Sequence, residues 1–113
     1  MNISMDGRLF EWDDAKNKIN KIKHGINFNT AARVFSDPYL LEEYDEEHSI
    51  DEERWKVIGM VDDVLFVIYT NRSDRTRLIS AREATEQERR RYYGNRILLL
   101  AESAAAFDGG GKS

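Results

Sequence analysis

The chain has 113 residues, 41% of them hydrophobic and 34% charged, which is typical of a single globular domain with a densely charged surface. It has no cysteine and two histidines, so disulfide bonds and thiolate metal sites are excluded and a structural zinc site is not expected. The longest apolar run is far too short to span a bilayer, and the first residues do not resemble a signal peptide. The sequence therefore predicts a cytoplasmic protein that binds no membrane.

The net charge of −4 is unevenly distributed along the chain. Residues 1–53 carry 6 basic and 13 acidic side chains, whereas residues 54–113 carry 11 basic and 8 acidic side chains. The segment 37–53 alone holds nine acidic residues and no basic one. This division predicts a basic working surface with an acidic region elsewhere, although two ordinary solvated faces would give the same counts.

The first predicted helix covers residues 13–24, where Asp13 can cap the start and Gly25 can end the helix. Three apolar side chains recur at helical spacing and form the expected core face, namely Ala15, Ile19 and Ile22. A polar stripe lies on another face and consists of Lys16, Asn20 and Lys23. Such a stripe is either a solvated surface or a row of hydrogen-bond donors for a phosphate backbone.

The remaining elements are predicted from hydrophobic periodicity and turn residues. A second helix is expected from about residue 27 to 35 and ends before Pro38, because the residue that precedes a proline avoids helical backbone angles. Four β-rich runs predict strands, at residues 39–44, 55–61, 64–70 and 77–82. A last helix starts at the capping box of Thr85 and Glu88 and extends towards Phe107.

This order of elements predicts an α+β fold with two N-terminal helices, a four-stranded mainly antiparallel sheet and a C-terminal helix. We expect a single domain over residues 1–107 and a flexible tail over residues 108–113, where the sequence is DGGGKS. On the fourth strand, Arg75 and Arg77 have the same parity and Arg82 has the opposite one. A regular strand would therefore place Arg82 on the other face of the sheet, unless a bend intervenes.

Several short motifs between residues 9 and 93, taken in order, resemble those of the BrnT toxin family. They are Phe10–Asp13, Lys23–Ile26, Val34–Pro38, Glu53–Arg54, Tyr69–Arg72, Arg77–Arg82 and Glu88–Arg89. The resemblance implies a RelE-like fold and a bacterial type II toxin that cleaves RNA and inhibits translation. It also implies that a BrnA-like ribbon-helix-helix antitoxin neutralises the protein, and that the protein contacts operator DNA only through this antitoxin.

Cleavage of RNA without a metal or cofactor requires a base for the ribose 2′-hydroxyl, an acid for the leaving 5′-oxygen and cations for the charge of the transition state. Arginine suits the last role because its planar fork binds two phosphate oxygens at once. The candidates that fall within the matching motifs are Arg72, Arg77 and Arg82. Each of them is equally compatible with an ordinary surface arginine.

Proton transfer needs a side chain that gains and loses a proton near neutral pH. His24 is the expected carrier, because a free imidazole changes charge between about pH 5 and 8. The alternative is a structural role, in which a histidine at a helix C-terminus caps the last backbone carbonyls. Glu53 is the expected carboxylate base, with a solvated end of the acidic segment as the alternative. His48 lies within that segment and is expected to be a loop residue.

The remaining candidates concern RNA binding. Lys16, Asn20 and Lys23 are expected to hold the RNA backbone. Trp12 and Tyr92 are candidates for stacking on bases or for supplying a phenol, with core packing as the alternative for such aromatic residues. Two alternatives to a ribonuclease remain open: a non-catalytic RNA- or protein-binding module on the same fold, and a folded but inactive chain.

Overall fold

The computed structural model describes the backbone of residues 1–111 and the side chains of residues 1–105. The described elements are β1 (Asn2–Met5), β2 (Arg8–Glu11), α1 (Asp14–His24), α2 (Phe28–Ala32), a 3₁₀ turn (Arg33–Ser36), β3 (Leu41–Tyr44), β4 (Arg54–Val61), β5 (Asp63–Arg72), β6 (Arg75–Glu83) and α3 (Glu86–Gly111). The predicted α+β class is confirmed. All four predicted strands are present, with ends that differ by up to two residues.

The sheet formed by the described residues has six strands in the order β1-β2-β6-β5-β4-β3. Four of the five strand pairs are antiparallel, as predicted, but β2 pairs with β6 in parallel, so the sheet is mixed. The predicted four-stranded sheet is therefore wrong in strand number. The prediction that two helices open the chain is wrong as well, because the β1–β2 hairpin precedes them.

The missed hairpin turns at Asp6 and Gly7, which both have positive φ angles, 51° and 80°. Two successive residues with positive φ are what a two-residue hairpin turn of matching twist requires, and Asp-Gly is a preferred pair for it. The short strands on either side carry few apolar residues, since Phe10 is the one fully buried side chain among their described residues. The hairpin was missed because the hydrophobic pattern of its strands is weak, although its Asp-Gly pair is a strong turn signal.

The main core lies between the sheet and the helical segment 14–36. Inward-facing side chains of four strands form it together with α2 and the 3₁₀ turn: Phe10, Val57, Leu65, Val67, Tyr69, Leu78, Ala81, Phe28, Ala31, Ala32 and Val34. A smaller cluster of Ile58, Val64 and Tyr92 lies on the opposite face, where the start of α3 packs. The sheet is therefore covered by helices over most of one face and only at one end of the other.

A β-bulge changes the predicted facing of the arginines on β6. Tyr69 pairs with Leu78 and Ile68 pairs with Ser80, so Ile79 is an extra residue on β6. A bulge reverses the side-chain alternation beyond it. As a consequence Arg82 lies on the same face as Arg77, which an unbroken alternation would not allow.

Helix α1 has the predicted caps but buries a different face. Asp13 accepts hydrogen bonds from the backbone N–H groups of Ala15 and Lys16, and Gly25 closes the helix with a φ of 73°. These bonds, the one from Lys16 first, lower the pKa of the Asp13 carboxyl. Ile19 and Ile22, predicted as core, are 61% and 81% exposed.

Of the residues of α1, all of which the structure describes, Asn20 alone is buried. Its side-chain amide accepts a hydrogen bond from the N–H of Ala81 (3.1 Å) and donates to the carbonyls of Ala81 (2.8 Å) and Ile26 (3.0 Å). Strand β2 pairs with β6 only from Arg75 to Arg77, so the edge of β6 is open at Ala81. Asn20 fills this edge as a neighbouring strand would, which explains why α1 turns a polar residue inwards.

Helix α3 begins at the predicted capping box. The N–H of Glu88 donates to the hydroxyl of Thr85, and the Glu88 carboxylate accepts from the N–H of Thr85. Beyond Arg96, whose guanidinium lies 4.7 Å from the ring centre of Tyr39, the helix extends with exposed apolar side chains, namely Ile97, Leu98 and Leu100. None of the described helices is both long and apolar enough to cross a membrane.

The tail predicted at residues 108–113 is helical as far as Gly111, and residues 112–113 lie outside the described part of the chain. The single domain over residues 1–107 stays a prediction.

Candidate functional site: a cationic groove on the sheet

A groove of about 420 Å³ lies on the face of the sheet that holds Arg77 and Arg82. Its floor consists of two cross-strand rows, Lys56–Ile68–Ser80 and Phe66–Arg82. Because three strands cross the floor, it is about 10 Å wide. One rim is the end of α1, and the other is the loop between β3 and β4. The groove is thus built from segments that are far apart in the sequence.

The α1 rim supplies Lys23 and His24. Lys23 is exposed and His24 is partly exposed, so both side chains are accessible from solvent. They stand one turn after Asn20, whose hydrogen bonds to Ala81 fix the end of the helix beside Arg82. Asn20 therefore positions the rim of the groove, which makes it a structural residue and not the RNA contact that the sequence predicted.

Arg82 is held in place from two sides. Its guanidinium lies 4.0 Å from the ring centre of Phe66, and it forms a two-point ion pair with Glu88 through bonds of 2.7 and 3.0 Å. Burial raises the pKa of Glu88, but the bonds from Arg82 and Thr85 lower it by more, so its carboxylate is charged at neutral pH. The guanidinium is thereby fixed over the floor, with both of its terminal nitrogens paired to Glu88.

The opposite rim carries a pair that the sequence did not predict. The carboxylate oxygens of Asp45 lie 2.9 and 3.1 Å from Nδ1 of His48. Asp45 is 4% exposed, whereas the side chain of His48 is 55% exposed. His48 was predicted as a loop residue, and it does lie in the loop after β3, where it lines the groove together with Glu47.

The other predicted catalytic residues lie outside this groove. Arg77 forms an ion pair of 3.2 Å with Glu11 on the neighbouring strand β2. Arg72, the last residue of β5, forms an ion pair of 3.4 Å with Glu52. Glu53 is exposed, and its backbone carbonyl accepts a hydrogen bond from Thr70. The groove therefore brings together His24 and Arg82 of the five predicted catalytic residues.

Three of the predicted RNA-binding residues are buried, which corrects their expected role. Trp12 is packed edge-on against Phe28, with both faces of its indole in the core. Tyr92 is fully buried, and its hydroxyl donates to Asp37. Burial, and then this bond, raise the pKa of Tyr92 to about 12, so the phenol stays protonated. Neither ring has a free face for a base, and Asn20 is buried as described above.

Lys16 is exposed on α1 and Lys23 reaches the groove, so these two predicted RNA contacts are accessible. Lys56 and Ser80, which lie on the floor, were missed because single polar residues within apolar strands give no sequence signal of a shared site. Asp45 and His48 were missed because the acidic segment around them is typical of a solvated loop. Among the described residues, no three His, Asp or Glu side chains lie close enough together to hold a metal ion.

Comparison with known proteins assigns a class to this arrangement. Residues 12–88 match the family model described as "Ribonuclease toxin, BrnT, of type II toxin-antitoxin system". The protein is therefore a ribonuclease toxin of the type II toxin–antitoxin class. Within that class the chain belongs to the BrnT family, as the motifs in its sequence predicted.

A solved structure supports the fold. The crystal structure of the ribonuclease toxin BrnT from Brucella abortus matches with a TM-score of 0.51 and 22% sequence identity, over 68% of this chain and 96% of that one. At this identity the match concerns the fold, which is BrnT-like. No curated protein sequence matches the chain.

Proposed function

We propose that the groove is the active site of a metal-independent endoribonuclease that cleaves RNA and thereby inhibits translation. The observation that carries this proposal is the convergence of Lys23, Lys56 and Arg82 with His24 around one open stretch of sheet. Cations from three elements bind a phosphate backbone, and an imidazole beside them can accept and donate a proton.

The reaction is a transesterification within the RNA. His24 removes the proton of the ribose 2′-hydroxyl, the 2′-oxygen attacks the adjacent phosphorus, and the bond from phosphorus to the 5′-oxygen breaks. The leaving oxygen takes up a proton. The products are a 2′,3′-cyclic phosphate and a 5′-hydroxyl end. Arg82 and Lys56 stabilise the negative charge that the phosphate oxygens gain in the transition state.

Arg77 and Arg72 lie on the same face of the sheet, beyond the groove. We assign them to phosphates that flank the cleaved bond, and Lys16 on α1 to the same role. The exposed position of Glu53 outside the groove gives no support to its predicted role as base.

Alanine variants of the groove test the proposal on a labelled RNA in excess EDTA. His24→Ala is expected to slow cleavage about 10²–10⁴-fold as the loss of a proton carrier. Arg82→Ala should cost about 10²–10³-fold as the loss of a transition-state donor. Lys18→Ala, an exposed position of α1, is the matched control and should keep full activity.

Each variant must show the melting temperature of the wild type. RNA that is bound but left intact by the wild type would favour a non-catalytic binding module. Activity that disappears with EDTA and returns with magnesium would contradict the metal-free mechanism.

For the partner, we propose a BrnA-like ribbon-helix-helix antitoxin that seats on α1. A type II toxin–antitoxin system implies an antitoxin partner. The exposed side chains of Ile19 and Ile22 form an apolar strip on α1, and the end of the same helix forms one rim of the groove. A protein on this strip would lie beside Lys23 and His24 and hinder access of RNA. Contact with operator DNA then occurs through the antitoxin alone, and both proteins act in the cytoplasm.

Co-expression tests this surface. Ile22→Asp should leave the toxin folded and able to stop growth, but should abolish rescue by the protein encoded beside it. Lys18→Asp, on the same helix, is the control for added charge. Full rescue of Ile22→Asp would place the antitoxin elsewhere.

A further inference from the structure

We propose that His48 is the general acid of the cleavage and that Asp45 positions it. This inference rests on the proposed function, since it assigns the second proton transfer of the same groove. The observation behind it is the pair of Asp45 and His48 on the rim that faces His24 across the floor.

Asp45 is an anchored residue and not part of a loose loop. Its N–H donates to the carbonyl of Arg54 (2.9 Å), and its own carbonyl accepts from the hydroxyl of Ser49 (2.6 Å). The same hydroxyl accepts from the N–H of Arg54 (2.9 Å). The base of the loop is thereby fixed to the start of β4, so the carboxylate has a defined position.

The buried position of the Asp45 carboxylate is energetically unfavourable unless other groups compensate its charge. A buried carboxylate is costly unless hydrogen bonds and a cation compensate it. Within the described side chains, the hydrogen-bond partner of this carboxylate is the half-exposed His48. Because the His48 ring is half-exposed, it contributes little to a core, and its packing does not explain why the Asp45 carboxylate is buried. A carboxylate that orients a histidine towards a groove does account for it.

The pairing also defines the active nitrogen of His48. Nδ1 faces Asp45, and Nε2 has no hydrogen-bond partner among residues 1–105, so Nε2 is the atom available to substrate. In the protonated ring the carboxylate compensates the positive charge, and Nε2 carries the proton that the 5′-oxygen needs. The donated proton is balanced by the one that His24 removes from the 2′-hydroxyl, and the protein returns to its starting state by exchange with water.

The placement of His24 and His48 on opposite rims of the groove fits this division. In-line displacement places the attacking and leaving oxygens on opposite sides of the phosphorus, so the base and acid must approach from opposite sides.

The test compares two substrates that differ in leaving group. His48→Ala should slow cleavage of an RNA dinucleotide about 10²–10⁴-fold. Cleavage of uridine 3′-(4-nitrophenyl phosphate), whose leaving group departs without a proton, should stay within about threefold of the wild type. His24→Ala should slow both substrates, because both need the base. Glu46→Gln, an exposed carboxylate of the same loop that does not line the groove, is the control and should affect neither.

Asp45 is tested as a positioning residue through the same ratio. Asp45→Asn should slow the dinucleotide and spare the nitrophenyl ester, and it should add little to the loss in a His48→Ala background. If these variants fail to fold, His48→Asn replaces them, since its amide can still donate to Asp45 but transfers no proton. It is expected to reproduce the selective loss on the dinucleotide.

Equal losses of the His48 variants on both substrates, or no loss on either, would overturn the assignment while the wild-type ribonuclease remained established. A wild type that cleaves neither substrate would instead contradict the proposed function itself.

Discussion

The buried amide of Asn20 is predicted to stabilise the domain through its hydrogen bonds to the edge of β6 and to the backbone just after α1. Asn20→Ala removes three hydrogen bonds, two of them to the open edge of β6 at Ala81. A hydrogen bond contributes about 1 kcal/mol net, and a buried group left without a partner costs about 1–3 kcal/mol. We therefore expect a loss of about 3 kcal/mol, partly relieved by water entering the site.

Urea unfolding at neutral pH measures this loss as a lower midpoint at an unchanged slope. Lys18→Ala on the exposed face of the same helix should change the stability by less than about 0.5 kcal/mol. Asn20→Asp should also destabilise, because a carboxylate keeps the acceptor for Ala81 but loses both donors. If Asn20→Ala unfolded within about 1 kcal/mol of the wild type, the amide would not be sealing the strand edge and the account of α1 would be wrong.

Three further predictions concern core packing, helix propensity and pH. A Cβ at Gly59 would lie 2.8 Å from Leu40 and 3.0 Å from Val34, so Gly59→Ala should lower the free energy of unfolding, measured in urea, by about 1–3 kcal/mol. A Cβ at Gly94 would have nothing within 4 Å, so Gly94→Ala should raise the helix stability by about 0.5–1 kcal/mol. The pKa of Glu88 is lowered in the folded state, so its stabilising effect is complete above the unfolded-state pKa of about 4.3 and is lost as the pH falls through the lowered value. Glu88→Gln should therefore flatten the acid limb of a stability-against-pH curve, and an unchanged limb would contradict the role of its bond to Arg82.

Much of the sheet could be predicted from the sequence because its signal is local. Strands β4 and β5 are β-rich runs separated by a short turn, and the structure pairs them in register from Arg54 to Val61. The caps of α1 and the capping box of α3 were also predictable, since each depends on residues within three positions of one another. The family could be recognised because its motifs occur in a fixed order along the chain.

The predictions from sequence were wrong where residues far apart in the sequence determine the structure. The inward face of α1 depends on where β2 stops beside β6, and no pattern within residues 13–24 contains that information. The facing of Arg82 depends on a bulge at Ile79, which the side-chain alternation does not show. The groove pairs a helix end with a loop some twenty residues later, so a search for motifs found His24 and placed His48 among solvated residues.

The central claim is that this groove cleaves RNA by internal transesterification without a metal. The most direct measurement is the chemistry of the new RNA ends produced by the purified protein in excess EDTA. We predict a 2′,3′-cyclic phosphate on the upstream fragment and a 5′-hydroxyl on the downstream fragment, with both products lost in the His24→Ala variant. A 3′-hydroxyl and a 5′-phosphate, or ends that form only when magnesium is present, would contradict the account.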